Sequence, residues 1–217
     1  MPKTTGYEQH SADYDQWFDE NPELYQAEIA AIQQLLPDGK GLEIGAGSGR
    51  FTQPLKIDTG IEPAAAMRQR AQQMRGLTLV DGVAEALPFA EQSFDFTTFI
   101  TSTCFLDDPL KAYREAARVT RQGGYLLVAF LERDSELGQQ YEKHKAQSPF
   151  YCDATFYHYA QIVEFMKQAG WSPEQSVQTV LPPSSGYSSQ VILPGHECGT
   201  FIVLRARKIE HPSPLGS

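Results

Sequence analysis

The chain has 217 residues, of which 41% are hydrophobic, so it can fold as one α/β domain with a sizeable core and is not a disordered chain. Its 18 basic and 27 acidic residues give a net charge of −9, which excludes the basic surface that a nucleic-acid partner requires. No apolar run reaches the roughly 18 residues that span a bilayer, and the polar, acidic start is unlike a signal peptide. We therefore predict a cytoplasmic protein with no nucleic-acid or membrane partner.

The predicted elements alternate between strand and helix, which is the pattern of a parallel sheet with crossover helices. Two helices, over residues 11–18 and 22–36, precede the first strand. Then follow strand 41–44, strand 59–62, helix 63–74 with proline at its first position, strand 77–80, strand 94–101, helix 109–121 and strand 125–131. The chain continues with helix 134–145, helix 158–169 and a pair of strands, 176–181 and 200–207, joined by a long Pro/Gly/Ser-rich loop.

The cysteines predict neither a disulfide framework nor a metal site. Cys104, Cys152 and Cys198 are odd in number and lack the CxxC spacing of structural zinc sites.

The most informative motif is the glycine-rich turn over residues 42–50, LEIGAGSGR, which follows the first strand. Glycine permits a sharp turn and a close approach of backbone to ligand. Dinucleotide-binding enzymes space these glycines as GxGxxG, whereas here they stand at 45, 47 and 49 and are followed by Arg50. Glu43 would be awkward beside a pyrophosphate and suits a cofactor with a positive ammonium group. Glu62, at the end of the second strand, is placed to bind ribose hydroxyls. This combination indicates S-adenosylmethionine.

Four blocks of the sequence resemble the class I S-adenosylmethionine-dependent methyltransferases, in particular their small-molecule branch. They are LEIGAGSGRF from residue 42, GIEPAAAM from residue 60, GVAEALPFAEQSFDF from residue 82 and DDPLKAYREAARVTRQGGYLLVAF from residue 107. The resemblance implies a doubly wound, Rossmann-like sheet of seven mostly parallel strands, with an antiparallel last strand and N-terminal covering helices. It also implies methyl transfer to nitrogen, oxygen or carbon of a small molecule, with S-adenosylhomocysteine as product.

This resemblance predicts one methyltransferase domain over residues 1–210. Its parts are covering helices (1–36), a cofactor-binding core (37–131), a substrate-side insert and helix (132–172) and a terminal strand pair (173–210). Residues 211–217, rich in proline, serine and glycine, are predicted to be a disordered tail.

The cofactor site is assigned from the turn, the second acid and the resemblance together. The assigned residues are Glu43, Gly45, Ala46, Gly47, Gly49, Glu62, Pro63, Met67, Val83, Ala84, Glu85, Ile100 and Thr101. Val83 departs from the family, which has an aspartate there that contacts the adenine amino group. The segment 11–18 resembles the family's covering helix and predicts Tyr14 and Trp17 as lid residues, with simple packing on the domain as the alternative.

Catalytic residues are harder to predict, because methyl transfer is an in-line displacement in which the protein mainly holds two reactants in line. The candidates are His196, His144, Tyr141 and Cys104. They come from three segments expected near the carboxyl ends of the fourth and fifth strands, whose polar and aromatic residues are Thr101, Ser102, Thr103, Cys104, Phe105, Asp107, Tyr141, His144, Tyr151, Cys152, Tyr157, Tyr187, His196 and Cys198. Each has a structural alternative.

The structural alternatives are specific. His144 and His158 can be solvated helix residues. The aromatic residues within 150–159 can be packing rather than a cage for a flat aromatic or cationic amine. Asp108 can simply be the N-cap of helix 109–121.

Other functions remain open from the sequence. The three cysteines permit thiol or metalloid methylation, and the missing adenine aspartate permits a non-catalytic S-adenosylmethionine-binding regulator. Arg50 disfavours a dehydrogenase. We expect a small-molecule acceptor as partner and a monomer or homodimer.

Overall fold

The computed structural model describes residues 3–186 and 188–209. Their strands form one seven-stranded sheet, and their helices pack around it. Three helices come first: α1 (Thr5–Gln9), α2 (Ser11–Glu20) and α3 (Pro22–Leu35). They are followed by β1 (Gly41–Ile44), β2 (Thr59–Ile61), α4 (Ala65–Arg75), β3 (Phe94–Ile100), α5 (Pro109–Val119), β4 (Thr120–Leu131), α6 (Glu136–His144), α7 (Tyr159–Gln168), β5 (Trp171–Thr179), β6 (Leu193–Pro194) and β7 (Phe201–Lys208). Within the described ranges, no helix has the length and apolar character needed to cross a membrane.

The sheet has the strand order β2-β1-β3-β4-β7-β5-β6. Strands β1 to β4 pair in parallel, and β7 runs antiparallel to both of its neighbours, β4 and β5. Apolar clusters cover both faces. One packs α5 and α7 on the sheet around Tyr113 and Met166, and the other packs α3 there through Ile29 and Ile32. The predicted α/β, doubly wound Rossmann-like fold with an antiparallel last strand is confirmed.

The predicted strand over residues 77–80 is wrong, because only Val80 pairs with the sheet, through a single parallel bridge to Ile61. The amide of Val80 donates to Gly60 at 2.9 Å, and its carbonyl accepts from Glu62 at 3.0 Å. Preceding residues are instead drawn towards α4, where Leu79 packs against Ala71. The seventh strand is β6, at the opposite edge of the sheet.

Several helix boundaries also differ from prediction, and two of them have a clear local cause. Helix α4 begins at Ala65 rather than Pro63, because Ala64 has extended backbone and donates its amide to the Glu62 carboxylate at 2.8 Å. Helix α5 ends at Val119, because Thr120 adopts an extended conformation and already belongs to β4. The start of α5 is as expected, since Asp108 Oδ1 accepts a hydrogen bond from the Lys111 amide at 3.0 Å.

Candidate active site

A cavity of about 920 Å³ opens at the carboxyl ends of the parallel strands. Each of β1 to β4 contributes its last residue to the wall: Ile44, Ile61, Ile100 and Leu131. Parallel strands end at the same edge of a sheet, and ligands of doubly wound folds bind outside that edge. The volume lies within the range of small-molecule pockets.

The glycine-rich turn forms one wall, and its three glycines all have left-handed φ angles of 77°, 56° and 80° at Gly45, Gly47 and Gly49. Two of them are confined by packing. A Cβ atom at Gly45 would lie 2.6 Å from the Ser102 Cβ, and one at Gly49 would lie 2.5 Å from a Leu77 methyl. Gly45 and Gly47 both line the cavity, and a Cβ atom at Gly47 would come no closer than 3.4 Å to a neighbouring atom. The turn therefore presents bare backbone to the cavity at Gly47.

Glu62 joins the turn to the start of α4. One carboxylate oxygen accepts from the Gly47 amide at 2.9 Å and the other from the Ala64 amide at 2.8 Å. The side chain lines the cavity although it is only 7% exposed, and burial raises its pKa against the lowering effect of these amides. Each oxygen keeps a second lone pair, so Glu62 can both hold the turn and accept hydrogen bonds from a ligand.

Glu43 lies beneath the turn and does not line the cavity. It is 1% exposed and accepts a hydrogen bond from the Thr52 hydroxyl at 2.5 Å. Burial raises its pKa to about 8. The structure thus places this acid behind the turn, where it does not contact the cavity that the sequence expected it to face.

Of the remaining residues assigned to the cofactor site, some line the cavity and others lie behind its wall. Lining the cavity are Pro63, Val83, Ala84, Glu85, Ile100 and Thr101. Ala46, Gly49 and Met67 do not line it, and Met67 is fully buried behind Gly47. Glu85 also organises the wall, because it accepts hydrogen bonds from the amides of Asp107 and Asp108 at 3.0 and 3.2 Å.

The N-terminal helices close over the turn. Tyr14 and Trp17 of α2 line the cavity, as does Tyr7 of α1. The Tyr7 ring makes edge contacts with Tyr14 and Phe105, which joins the helices to the segment after β3. Helix α1 is also joined to α4, because the Glu8 carboxylate accepts hydrogen bonds from two amides at the start of α4, at 2.7 and 2.9 Å.

Asp15, which the sequence analysis missed, anchors α2 to the turn. Only 1% exposed, it accepts hydrogen bonds from Ser48 at 2.6 Å, Arg50 at 2.8 Å and Arg70 at 2.5 Å, and it pairs with Arg75 at 3.2 Å. Burial opposes ionisation, but the hydrogen bonds from Ser48 and Arg50, together with the charge and hydrogen bond of Arg75, outweigh it and lower the Asp15 pKa. The residue after the last glycine, Arg50, is therefore part of an ion-pair network that holds the covering helix.

The four catalytic candidates are dispersed. Tyr141 and His144 line the cavity. Cys104 borders a separate small cavity instead, donates to the Thr101 carbonyl at 3.4 Å, and has its pKa raised to about 12 by burial. His196 is outside both, with its ring stacked on Tyr159 at 3.5 Å between centroids.

The other residues predicted on the acceptor side also lie in different places. Among them Ser102, Phe105, Asp107 and Tyr151 line the main cavity. Cys152 and Cys198 are exposed and line neither cavity, and Tyr187 is outside the described residues. His158 pairs with Asp134 at 2.9 Å. Together with Glu132, these two residues form a group of three possible metal ligands whose ligand atoms lie within 4.8 Å of one another, outside the main cavity. The Glu132 carboxylate there already accepts from the Tyr159 amide at 2.7 Å.

A second missed residue is Glu28 on α3. It lines the main cavity, is 6% exposed and has its pKa raised to about 8 by burial alone. Its neighbours in sequence, Ala27 and Ile29, are buried core residues, so the only sequence signal was an acid on an apolar helix face.

Known proteins with similar sequences and structures include methyltransferases. A family model of a methyltransferase domain matches residues 42–128. An uncharacterized protein of Methanocaldococcus jannaschii is 35% identical over 94% of this chain and 98% of its own length. A demethylmenaquinone methyltransferase of Renibacterium salmoninarum is 32% identical over 43% of this chain and 42% of that protein.

A solved structure from Thermotoga maritima, described as a SAM-dependent methyltransferase and possible histamine N-methyltransferase, is 39% identical to this chain. The match covers 94% of this chain and 99% of that one, with a TM-score of 0.89. Since this similarity spans nearly the whole of both proteins and the glycine-rich turn stands at the cavity, the chain belongs to the S-adenosylmethionine-dependent methyltransferases and is an enzyme with that cofactor.

Proposed function

We propose that this enzyme methylates a small molecule held in the 920 Å³ cavity, beside the methyl donor. One observation carries the proposal. A continuous cavity runs from the bare backbone at Gly47 to aromatic residues of the insert, Tyr141 and Tyr151, so one enclosure can hold both reactants. The acidic net charge of −9 and the cavity volume of about 920 Å³ favour a small acceptor over a nucleic acid.

The residues at the glycine-rich end of the cavity suit S-adenosylmethionine. When bound, S-adenosylmethionine supplies a methyl group on a positively charged sulfur. Gly47 offers backbone without a side chain, and Glu62 offers carboxylate lone pairs that suit ribose hydroxyls. Val83, Ala84 and Glu85 would surround the adenine ring, with Glu43 acting only through the turn.

The acceptor end is built by segments added to the core. Helices α1 and α2, and the predicted substrate-side insert over residues 132–172, contribute Tyr7, Tyr14, Trp17 and Tyr141 to the wall. These side chains would position the acceptor in line with the methyl group and exclude water, which is most of what this chemistry asks of a protein. The Thermotoga relative's description as a possible histamine N-methyltransferase favours nitrogen among the three acceptor atoms considered.

The positions of the cysteines weigh against thiol or metalloid methylation. Cys104 is half-buried outside the main cavity, and Cys152 and Cys198 are exposed away from it. Three convergent thiols are therefore absent from the cavity wall among the described residues. A cytoplasmic location and a monomeric or homodimeric state stay predictions.

Calorimetric titration tests the cofactor assignment, and mass spectrometry of co-purified ligands tests the acceptor. We expect S-adenosylmethionine and S-adenosylhomocysteine to bind, NAD not to bind, and a small molecule to gain 14 mass units when the loaded enzyme is incubated with it. Binding of NAD alone, or methylation only of protein or nucleic acid in a cell extract, would contradict the proposal.

A further inference from the structure

Glu28 is a buried acid that faces the cavity without a protein partner. It is 6% exposed and lines the cavity from the middle of α3. Among the described residues no hydrogen bond or ion pair reaches its carboxyl group, and burial is the one influence on its pKa. Four candidate cations line the same cavity: Lys3, Lys111, His144 and Lys145. None of them pairs with Glu28 or influences its pKa, and Lys145 pairs instead with Glu142 at 2.9 Å.

Such a group is costly in a folded protein. A carboxyl that is mostly buried and has no hydrogen-bond or charge partner in the protein loses most of its hydration without a compensating contact. An alanine or leucine in its place would complete the apolar face of α3, whose neighbouring Ala27, Ile29 and Ile32 are all buried. Strongly perturbed acids in clefts are found preferentially at functional sites. The partner that compensates Glu28 is therefore expected from the ligand.

Aromatic side chains surround this part of the cavity. Burial raises the pKa of the Tyr14, Tyr141 and Tyr151 phenols, and the nearby Glu28 carboxyl adds to the shift of each. These three rings line the same wall. Trp17 and Phe18 complete it from α2. The pKa of Tyr25 on α3 is raised in the same way. All four phenols therefore stay uncharged at neutral pH, which leaves Glu28 as the acid in an aromatic enclosure.

Resting on the proposed function, we propose that the methyl acceptor is a basic amine and that Glu28 is the residue that recognises its nitrogen. A carboxylate and aromatic faces together favour an ammonium group over a neutral or anionic group. An alcohol would leave the acid without a charge partner, and a carboxylic acid would add a second negative group.

The same contact prepares the nitrogen for reaction. The protonated amine meets the protonated Glu28 carboxyl, and one proton leaves to solvent as the pair forms. The remaining proton is shared, and when it resides on Glu28 the amine has a free lone pair. That lone pair forms the nitrogen–carbon bond while the carbon–sulfur bond breaks, with its electrons left on sulfur. The methylated ammonium leaves, and Glu28 keeps its proton.

A thermal-shift screen on the full chain saturated with S-adenosylhomocysteine tests this assignment. The probes are primary amines, including histamine, together with the matched alcohols and carboxylic acids. We expect amines alone to stabilise the loaded protein. Their affinity should fall about 10- to 100-fold in Glu28→Gln, which removes one charge-assisted hydrogen bond. The control Glu23→Gln, at an exposed site on the same helix, should bind amines as the parent does.

Calorimetry in buffers of different ionisation enthalpy gives a second readout. At pH 7 the parent should release protons on binding an amine, and Glu28→Gln should not. Both variants should still bind S-adenosylhomocysteine, so failure of that binding in the parent would sink the proposed function rather than this inference. The amine assignment is overturned if alcohols or acids stabilise the loaded protein instead, if no amine does, or if amines bind Glu28→Gln as tightly as the parent.

Discussion

At the scale of single residues, the glycines of the turn serve different ends. Gly45 and Gly47 both line the cavity, but Gly45 and Gly49 leave no room for a side chain because neighbouring atoms occupy the space. A side chain at Gly47 would point at the Met67 methyl, 3.4 Å away, and the Tyr14 hydroxyl, 3.5 Å away. Spacing predicts three equivalent glycines, and packing distinguishes them.

Gly47→Val is expected to abolish measurable binding of S-adenosylhomocysteine while leaving a folded protein. The valine methyl groups would press on Met67 and on Tyr14 of the covering helix, so the turn and the cavity wall beside it would have to shift. A β-branched residue at φ 56° also costs about 1–3 kcal/mol of stability. Gly170→Val is the matched control, because Gly170 has φ 87° with open space around its Cβ and lies away from the cavity. Calorimetry should show normal binding in the control, and equal binding in both variants would mean that the cofactor is placed wrongly.

Glu62→Ala is expected to weaken both the cofactor complex and the free protein. The sequence assigned Glu62 to the ribose alone, but its oxygens also accept hydrogen bonds from the Gly47 and Ala64 amides. Loss of these acceptors should lower the free energy of unfolding by about 1–3 kcal/mol, and affinity for S-adenosylhomocysteine should fall by about 2–4 kcal/mol. Denaturant unfolding and calorimetry measure the two effects, with the exposed Glu91→Ala as control. Lower stability with unchanged affinity would restrict Glu62 to holding the turn.

At the scale of elements, the covering helices are held at specific points rather than by apolar packing alone. Helix α2 is pinned through Asp15 to arginines on the turn and on α4, and α1 is joined to α4 through Glu8. Gly6 of α1 approaches the insert so closely that a Cβ atom there would lie 1.9 Å from the Pro149 carbonyl oxygen. The cover and the insert therefore meet, and we expect them to move together when ligand enters.

Asp15→Asn is expected to release the cover. It removes the negative charge that three buried or half-buried arginines share, and breaking a buried ion pair by removal of one partner costs about 3–5 kcal/mol. In the parent, proteolysis within residues 1–20 and 134–160 should slow when S-adenosylhomocysteine is added. In the variant, cleavage within 1–20 should be faster and less sensitive to ligand. Asp13→Asn, exposed on the same helix, should behave as the parent. Ligand-independent cleavage in the parent would show that these segments only shield the sheet.

At the scale of the whole molecule, buried acids set the response to pH. Burial raises the pKa of Glu28 and of Glu43 from 4.5 to about 8, and that of Glu62 in the same direction. The folded protein therefore keeps protons on these groups at pH values where the unfolded chain has lost them. Under proton linkage, their contribution to stability is fully present below about pH 4.5 and is lost as pH rises towards 8. Asp15, with its lowered pKa, acts in the opposite direction at acidic pH.

The melting temperature of the free enzyme should accordingly fall between pH 5 and pH 8. Differential scanning calorimetry should show a shallower fall in Glu28→Gln, whose melting temperature at pH 8 should equal or exceed that of the parent, because the variant no longer buries an ionisable acid. Glu23→Gln should follow the parent profile. A melting temperature that stays constant or rises across this interval would contradict the inferred protonation of the buried acids.

Local sequence was sufficient for the fold class and for the part of the cavity wall that the glycine-rich turn, Glu62 and the segment around Val83 form. The turn from Gly45 to Gly49, the second acid Glu62 and the segment around Val83 are contiguous motifs, so their conformation and spacing can be recognised without knowing what packs on them. Strand alternation and helix periodicity likewise indicated a parallel sheet, and the family resemblance implied an antiparallel last strand. The strand order and pairing confirm both. The edge segment at residues 77–80 was mispredicted, because strand propensity does not reveal whether an edge finds a partner.

Long-range packing was needed for the groups that give this cavity its particular chemistry. Asp15 meets Arg50, Arg70 and Arg75 across 35, 55 and 60 positions of the chain, and no local pattern marks those residues as partners. Glu28 is an ordinary helix residue in sequence and becomes an unpaired acid only because α3 turns it into the cavity. The physical reason is the same in both cases. The energy of a buried charge depends on the dipoles, charges and solvent that the folded chain brings around it, and those surroundings come from distant segments.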